Sequence, residues 1–168
     1  GLQMISGSSD PISVVGLMEN RGPELLKALR KLDVDDIVID LGAGTHEMTI
    51  EFFNAADQGI LSILPEPTSV ENAYRFIRAV FFKKLRAADI PFGIKEVVDA
   101  AMDQKNILGI RTPADLLAIV DRLDEASSVK LREQIKHLSP SIVINQVRSQ
   151  IDIDVGRAIC SVCRRYFG

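Results

Sequence analysis

The chain has 168 residues, 46 % of them apolar and 26 % charged, an ordinary globular composition with enough length for one domain around a real core. Its net charge of −3 gives no overall electrostatic case for nucleic acid, so any basic patch has to be local. No stretch is long and apolar enough to span a bilayer, no secretory signal is visible, and two cysteines, Cys160 and Cys163, cannot build a disulfide framework, which makes a reducing cytoplasm the expected compartment.

Leu2-Gln-Met-Ile-Ser6 reads as a short strand entering a Gly7–Pro11 loop. Pro23 opens a helix with Leu25, Leu26, Leu29 and Leu32 on one face. Glu24 falls in its first turn and Arg30 and Lys31 in its last, as the helix dipole favours. Ile37 to Leu41 has buried-strand character, and a helix is predicted from Thr45 to about Asn54, with Met48, Ile50, Phe52 and Phe53 as its apolar contacts. Gly59 to Leu64 is a further strand, stopped by Pro65 and Pro67.

Thr68-Ser-Val-Glu71 matches a capping box for a long helix whose period is kept by Val70, Ala73, Tyr74, Ile77, Val80, Phe81 and Leu85. Thr112-Pro113-Ala-Asp115 caps another helix, carrying Leu116, Leu117, Val120 and Leu123, and a shorter helix is predicted near Val129 to His137. Ser141 to Asn145 is the last predicted strand. Val155, Ile159, Val162, Cys163 and Tyr166 mark a final helix. Strands alternating with helices imply an α/β domain, a parallel sheet with helices on both faces. The stretch from 86 to 138 is too long for a simple crossover and reads as a helical insertion within a single domain spanning 1–168.

The chemistry-bearing residues gather at predicted strand ends. In Asp36-Ile-Val-Ile-Asp40-Leu-Gly42-Ala-Gly44-Thr45, an acid closes an apolar strand and a glycine turn follows. Ligand crevices of α/β sheets lie beyond the carboxyl ends of the strands, and amides at a helix start receive anions. Asp40 and Gly44 have the D-x-x-x-G spacing of a nucleotide switch. The same turn also resembles a methyltransferase first motif, although His46 stands where a third glycine is usual, or it is a tight connection with no ligand. Pro65 and Glu66 border the same predicted edge. Glu66 suits a ribose hydroxyl or bulk solvent, and Thr68 a helix cap. The amide of Asn145 offers a donor and an acceptor that suit an adenine edge, and Asn also favours turns. Cys160-Ser-Val-Cys163 is half a zinc site at best, and core packing is its expected role. Arg75, Arg78, Lys83, Lys84 and Arg86 read as a solvated face complementing a helix dipole. His46 and His137 have no triad spacing.

Taken in order, Asp40-Leu-Gly-Ala-Gly44-Thr, Gly59-Ile-Leu-Ser-Ile-Leu-Pro-Glu-Pro-Thr-Ser and Ile142-Val-Ile-Asn145-Gln-Val-Arg148 resemble the central part of a MinD/ParA-type P-loop ATPase. Glu66 to Phe76 is closest to the branch of the flagellar-number regulators. The resemblance implies a SIMIBI-like P-loop NTPase fold, incomplete here. It implies that Asp40 holds Mg²⁺ through water, that Gly44 contacts the γ-phosphate, that Asn145 reads adenine, and that Gly42, Pro65 and Glu66 are among the nucleotide-binding residues. It further implies an ATP-closed homodimer with a positional output, cytoplasmic or peripheral to the inner membrane.

The family's phosphate-binding loop has no counterpart, because nothing matches G-x-x-x-x-G-K-[ST]. Residue 1 is Gly and the first Met, Met4, lies inside an apolar run, so the expectation is a family member cut at both ends. Such a segment should neither hydrolyse ATP nor bind Mg-ATP tightly, and should associate through exposed sheet edge. The competing expectations are an S-adenosylmethionine-dependent methyltransferase and a non-catalytic module whose helical insertion takes a protein partner. Contact with membrane or DNA is left open.

Overall fold

The computed structural model describes residues 1, 3–5, 21–102, 109–110, 112–136 and 138–167, with the side chains of its last helix described as far as Arg164. Leu2, Ser6, the Gly7–Pro11 loop and His137 lie outside the described residues. The chain divides into two compact units, residues 1–55 and 56–168.

In the first unit, α1 (Gly22–Leu29) packs on α2 (Glu47–Ala55). Pro23 sits in the first turn of α1, where its missing N–H costs nothing, with Glu24 beside it. Gly22 lies where the two helices approach: a Cβ there would stand 2.9 Å from Glu51 Oε2, the far end of a flexible side chain. The predicted strand over Ile37–Leu41 does not form. Residues 36–42 are irregular and mostly exposed, with Val38 93 % exposed. Residues 3–5, placed in a strand by the sequence, are likewise irregular. Apolar character makes a strand only where another strand supplies hydrogen bonds, and neither stretch has one among the described residues.

The second unit is mixed α/β and mostly helical. Its sheet has two parallel strands, β1 (Ile60–Ile63) and β2 (Ser141–Ile144), in the register Ile60↔Ser141 to Ile63↔Ile144. Ser141 N donates to Gly59 O and Asn145 N to Ile63 O, both at 2.8 Å, which extends the pairing at each end. A parallel pair needs a long crossover. Here it comprises α3 (Pro67–Arg86), α4 (Phe92–Met102), α5 (Pro113–Leu123) and α6 (Glu125–Ile135), and α7 (Gln150–Phe167) follows β2.

Only one face of the pair is covered among the described residues. Leu61, Ile63, Ile142 and Ile144 pack with Val70 and Ala73 of α3 and with Val155, Ile159 and Cys163 of α7. The positions 155, 159 and 163 are spaced by one helical turn, so a single stripe of α7 meets the sheet. Gly156 permits that contact, because a Cβ there would lie 3.0 Å from Ile144 Cγ1. On the opposite face Ile60 is 64 % and Val143 48 % exposed. The expectation of helices on both faces is thus met on one.

A larger core lies at the other end of α3. Phe81, Phe82 and Leu85 join Ile94, Val98 and Ala101 of α4, Leu116, Leu117 and Val120 of α5, and Leu131 of α6. Phe81 and Phe82 meet edge to face, centroids 5.6 Å apart. Thr112 caps α5 as predicted: its side chain accepts from Asp115 N at 3.1 Å while Asp115 Oδ2 accepts from Thr112 N at 2.8 Å. Thr68 caps nothing. The extended Glu66 is the N-cap of α3, Pro67 takes the first helical position, and Ser69 Oγ accepts from Leu64 N at 2.9 Å. Helix α6 starts at Glu125 rather than near Val129, because Asp124 both ends α5 and precedes α6.

Candidate functional site

The residues that the sequence nominates fall in both units. Asp40, Gly42 and Gly44 belong to the first. All three are exposed, and Gly44 has φ +115°, a conformation that L side chains rarely adopt. The Asp40 stretch is thus a glycine-dependent turn leading to α2, not the end of a paired strand.

Pro65, Glu66 and Asn145 belong to the second unit, and parallel pairing brings them to one edge. Both β1 and β2 end there, Ile63 opposite Ile144, so the Pro65–Glu66 loop and Asn145 leave the sheet side by side. Glu66 is exposed, and its backbone carbonyl accepts from Val70 N at 3.0 Å. Asn145 is exposed, and its Oδ1 accepts from Gln146 N at 2.8 Å. Gln146 has φ 54°, so the chain turns sharply after β2. The acceptor of Asn145 therefore steadies this exposed turn.

The turn runs directly into α7 through a cap that the sequence reading missed. Asp152 Oδ2 accepts from Arg148 N at 2.8 Å and from Ser149 N at 2.9 Å, and Ser149 Oγ accepts from Asp152 N at 3.4 Å. The Arg148 amide holds the Asp152 carboxyl below its ordinary range, opposed by desolvation and helped by the Ser149 amide. The signal was present as Ser149-x-x-Asp152 before an apolar stripe.

The remaining candidates resolve into structure. Arg75 pairs with Glu71 at 2.6 Å and Arg86 with Asp99 at 2.6 Å. Arg78 donates to Ala101 O at 3.2 Å near the end of α4 and lies 5.5 Å from the Phe82 centroid. The basic side of α3 is thus engaged at Arg75, Arg78 and Arg86 rather than simply solvated as expected. Cys163 packs against the sheet cluster, and burial pushes its thiol up, with nearby Cys160 adding to the effect. Cys160 itself is exposed, so core packing holds for only one of the two thiols. No described helix is long and apolar enough to cross a membrane.

These features define an α/β protein, mostly helical, around a small parallel sheet. Over 80 residues the chain is 29 % identical to "Antiactivator FleN" of Pseudomonas aeruginosa, a match covering 46 % of this chain and 29 % of that protein. The chain thus spans less than a third of that relative's length. No family model matches the chain, and no solved structure matches it.

Proposed function

We propose that this chain is part of a MinD/ParA-like ATP-binding switch ATPase. The similarity to FleN carries the reading. The order of the Asp40, Pro65–Glu66 and Asn145 motifs supports it, as does a parallel strand pair that ends in the last two of them. In this reading Asp40 holds Mg²⁺ through water, Gly44 contacts the γ-phosphate, Asn145 reads adenine, and Gly42, Pro65 and Glu66 are further nucleotide-binding residues. The intact protein uses ATP to close a homodimer and hydrolysis to reopen it.

The residues present fit this role for the metal and no stronger one. Asp40 is an exposed carboxylate, and among the described residues no three His, Cys, Asp or Glu side chains converge. One carboxylate suits an outer contact to a Mg²⁺ ion that arrives on phosphates and keeps several of its waters. It does not suit a free-standing Mg²⁺ site. Bound Mg²⁺ would neutralise phosphate charge, and Asp40 would orient its water shell.

Titration calorimetry tests the proposal. The intact protein that carries this chain is expected to bind Mg-ATP, and Asn145→Ala to weaken that binding by about tenfold, the value of one well-made polar contact. The 168-residue chain alone, with no lysine-bearing phosphate loop in its sequence, is expected to show no tight Mg-ATP binding. A thermal shift of the intact protein with S-adenosylmethionine and none with Mg-ATP would overturn the reading.

A further inference from the structure

Residues 145–149 join β2 to α7 and are all exposed, so burial does little to fix them. Their conformation is nonetheless demanding. Gln146 has φ 54°, a left-handed backbone that strains any residue with a side chain and persists only where the surroundings over-determine it. Hydrogen bonds at both ends of the loop do so. Asn145 N donates to Ile63 O at 2.8 Å and ties the loop's first residue to β1, and Asn145 Oδ1 accepts from Gln146 N at 2.8 Å. At the other end Asp152 Oδ2 accepts from Arg148 N at 2.8 Å and from Ser149 N at 2.9 Å.

That last pair exceeds what the helix needs. Helix α7 begins at Gln150, and a capping box uses the acid of its first turn to satisfy the amide just before the helix, here that of Ser149. The same carboxylate oxygen also takes the amide of Arg148, which belongs to the turn and not to the helix. Asp152 thus fastens the Asn145 loop to a helix whose other contacts are with the sheet.

We propose that Asp152 is a positioning residue for Asn145: by holding the Arg148 and Ser149 amides it keeps the 145–149 loop in the conformation from which Asn145 meets the adenine base. This role rests on the nucleotide reading above, and adds to it a residue that touches no nucleotide and sets base preference through another. Without that grip the loop samples other conformations, and affinity for the base falls by the fraction of time the competent one is populated.

The test titrates the intact protein that carries this chain with Mg-ATP and with Mg-GTP and reads the ratio of the two affinities. Asp152→Ala is expected to lower the preference for ATP by about fivefold, the factor that one lost hydrogen bond takes from the competent loop population. Asp152→Asn keeps an acceptor oxygen for both amides and should restore most of that preference. In an Asn145→Ala background Asp152→Ala should lower the ratio no further, because the two residues act as one unit. Thr112→Ala, which weakens the cap of α5 instead, should lower the melting temperature and leave the ratio alone. If Asn145→Ala loses the preference while Asp152→Ala keeps it, or if Thr112→Ala lowers it as much, the positioning role is overturned and the nucleotide reading stands. Wild-type protein that binds no Mg-ATP, or binds it without preference over Mg-GTP, removes the adenine assignment and the positioning role with it.

Discussion

The helical cluster around the second half of α3 and the two-stranded sheet at its first half solve the same problem with unequal success. In the cluster Phe81, Leu85, Leu116, Val120 and Leu131 are fully or almost fully buried. In the sheet only Ile63 is buried, and Ile60 and Val143 face outward. The stretch Ile37–Ile39, as apolar as either strand, has no strand partner among the described residues and is exposed. The difference is one of hydrogen bonding. A helix satisfies its own backbone and needs neighbours only for side chains, so four helices close a core among themselves. A strand needs neighbours for its backbone as well, so two strands leave two open edges and a half-covered face.

The largest expected effect separates these two regions. Leu116→Ala removes a fully buried side chain from the cluster and should cost about 2–5 kcal/mol in urea unfolding. Val38→Ser, in the exposed apolar stretch, should stay within about 0.5 kcal/mol of wild type. A comparable loss at Val38 would mean that the stretch is packed in solution, and the contrast would fail.

The contact between α7 and β2 comes next. Gly156→Val sets a branched side chain against Ile144, which already lies 3.0 Å from where a Cβ would stand, and overpacking of this kind costs about 1–3 kcal/mol. A variant of unchanged midpoint would show that α7 moves off the sheet at little cost.

Helix caps give a smaller and sharper comparison. Thr112→Ala loses the side-chain acceptor of a capping box, keeping the bond from its own backbone N–H to Asp115, and should destabilise by about 1 kcal/mol, whereas Thr68→Ala should be close to neutral. Reversal of that order in denaturant midpoints would restore the cap that the sequence suggests at Thr68.

The smallest effect is a pH dependence. Asp152 has a folded-state pKa below its unfolded value, so its contribution is complete above the unfolded pKa near 3.8 and is lost as pH falls through the lower folded value. Asp152→Asn should therefore lower stability at neutral pH and converge with wild type in strong acid. Curves that stay parallel across the acid range would remove this linkage.

The helices were largely legible before any coordinates. Pro23, Thr112 and the apolar stripes of α3, α5 and α7 place those elements within a few residues, because capping chemistry and 3.6-residue periodicity are local properties. The misses follow from competition between local signals. Thr68 has a capping-box spacing, but Pro67 beside the extended Glu66 starts α3 two residues earlier. Asp124 begins α6 ahead of the first apolar position. Of the candidate site, the sequence expected Asp40, Pro65, Glu66 and Asn145 at one sheet edge; the register of β1 and β2 sets the last three beside one another, while Asp40 follows no paired strand among the described residues. The Ser149–Asp152 cap escaped because its signal is short and polar.

By itself, then, the sequence determined the helices other than α4, the two strand segments that pair, the glycine-dependent turn at Gly44 and the acids and amides that follow strand ends. Only the tertiary structure decided which apolar stretches become strands, which face of the sheet is covered, and which thiol is left in the open. Those outcomes depend on partners far along the chain: Ile63 needs Ile144, and Gly156 needs Ile144 to lean on. No local pattern carries the identity of such a distant neighbour.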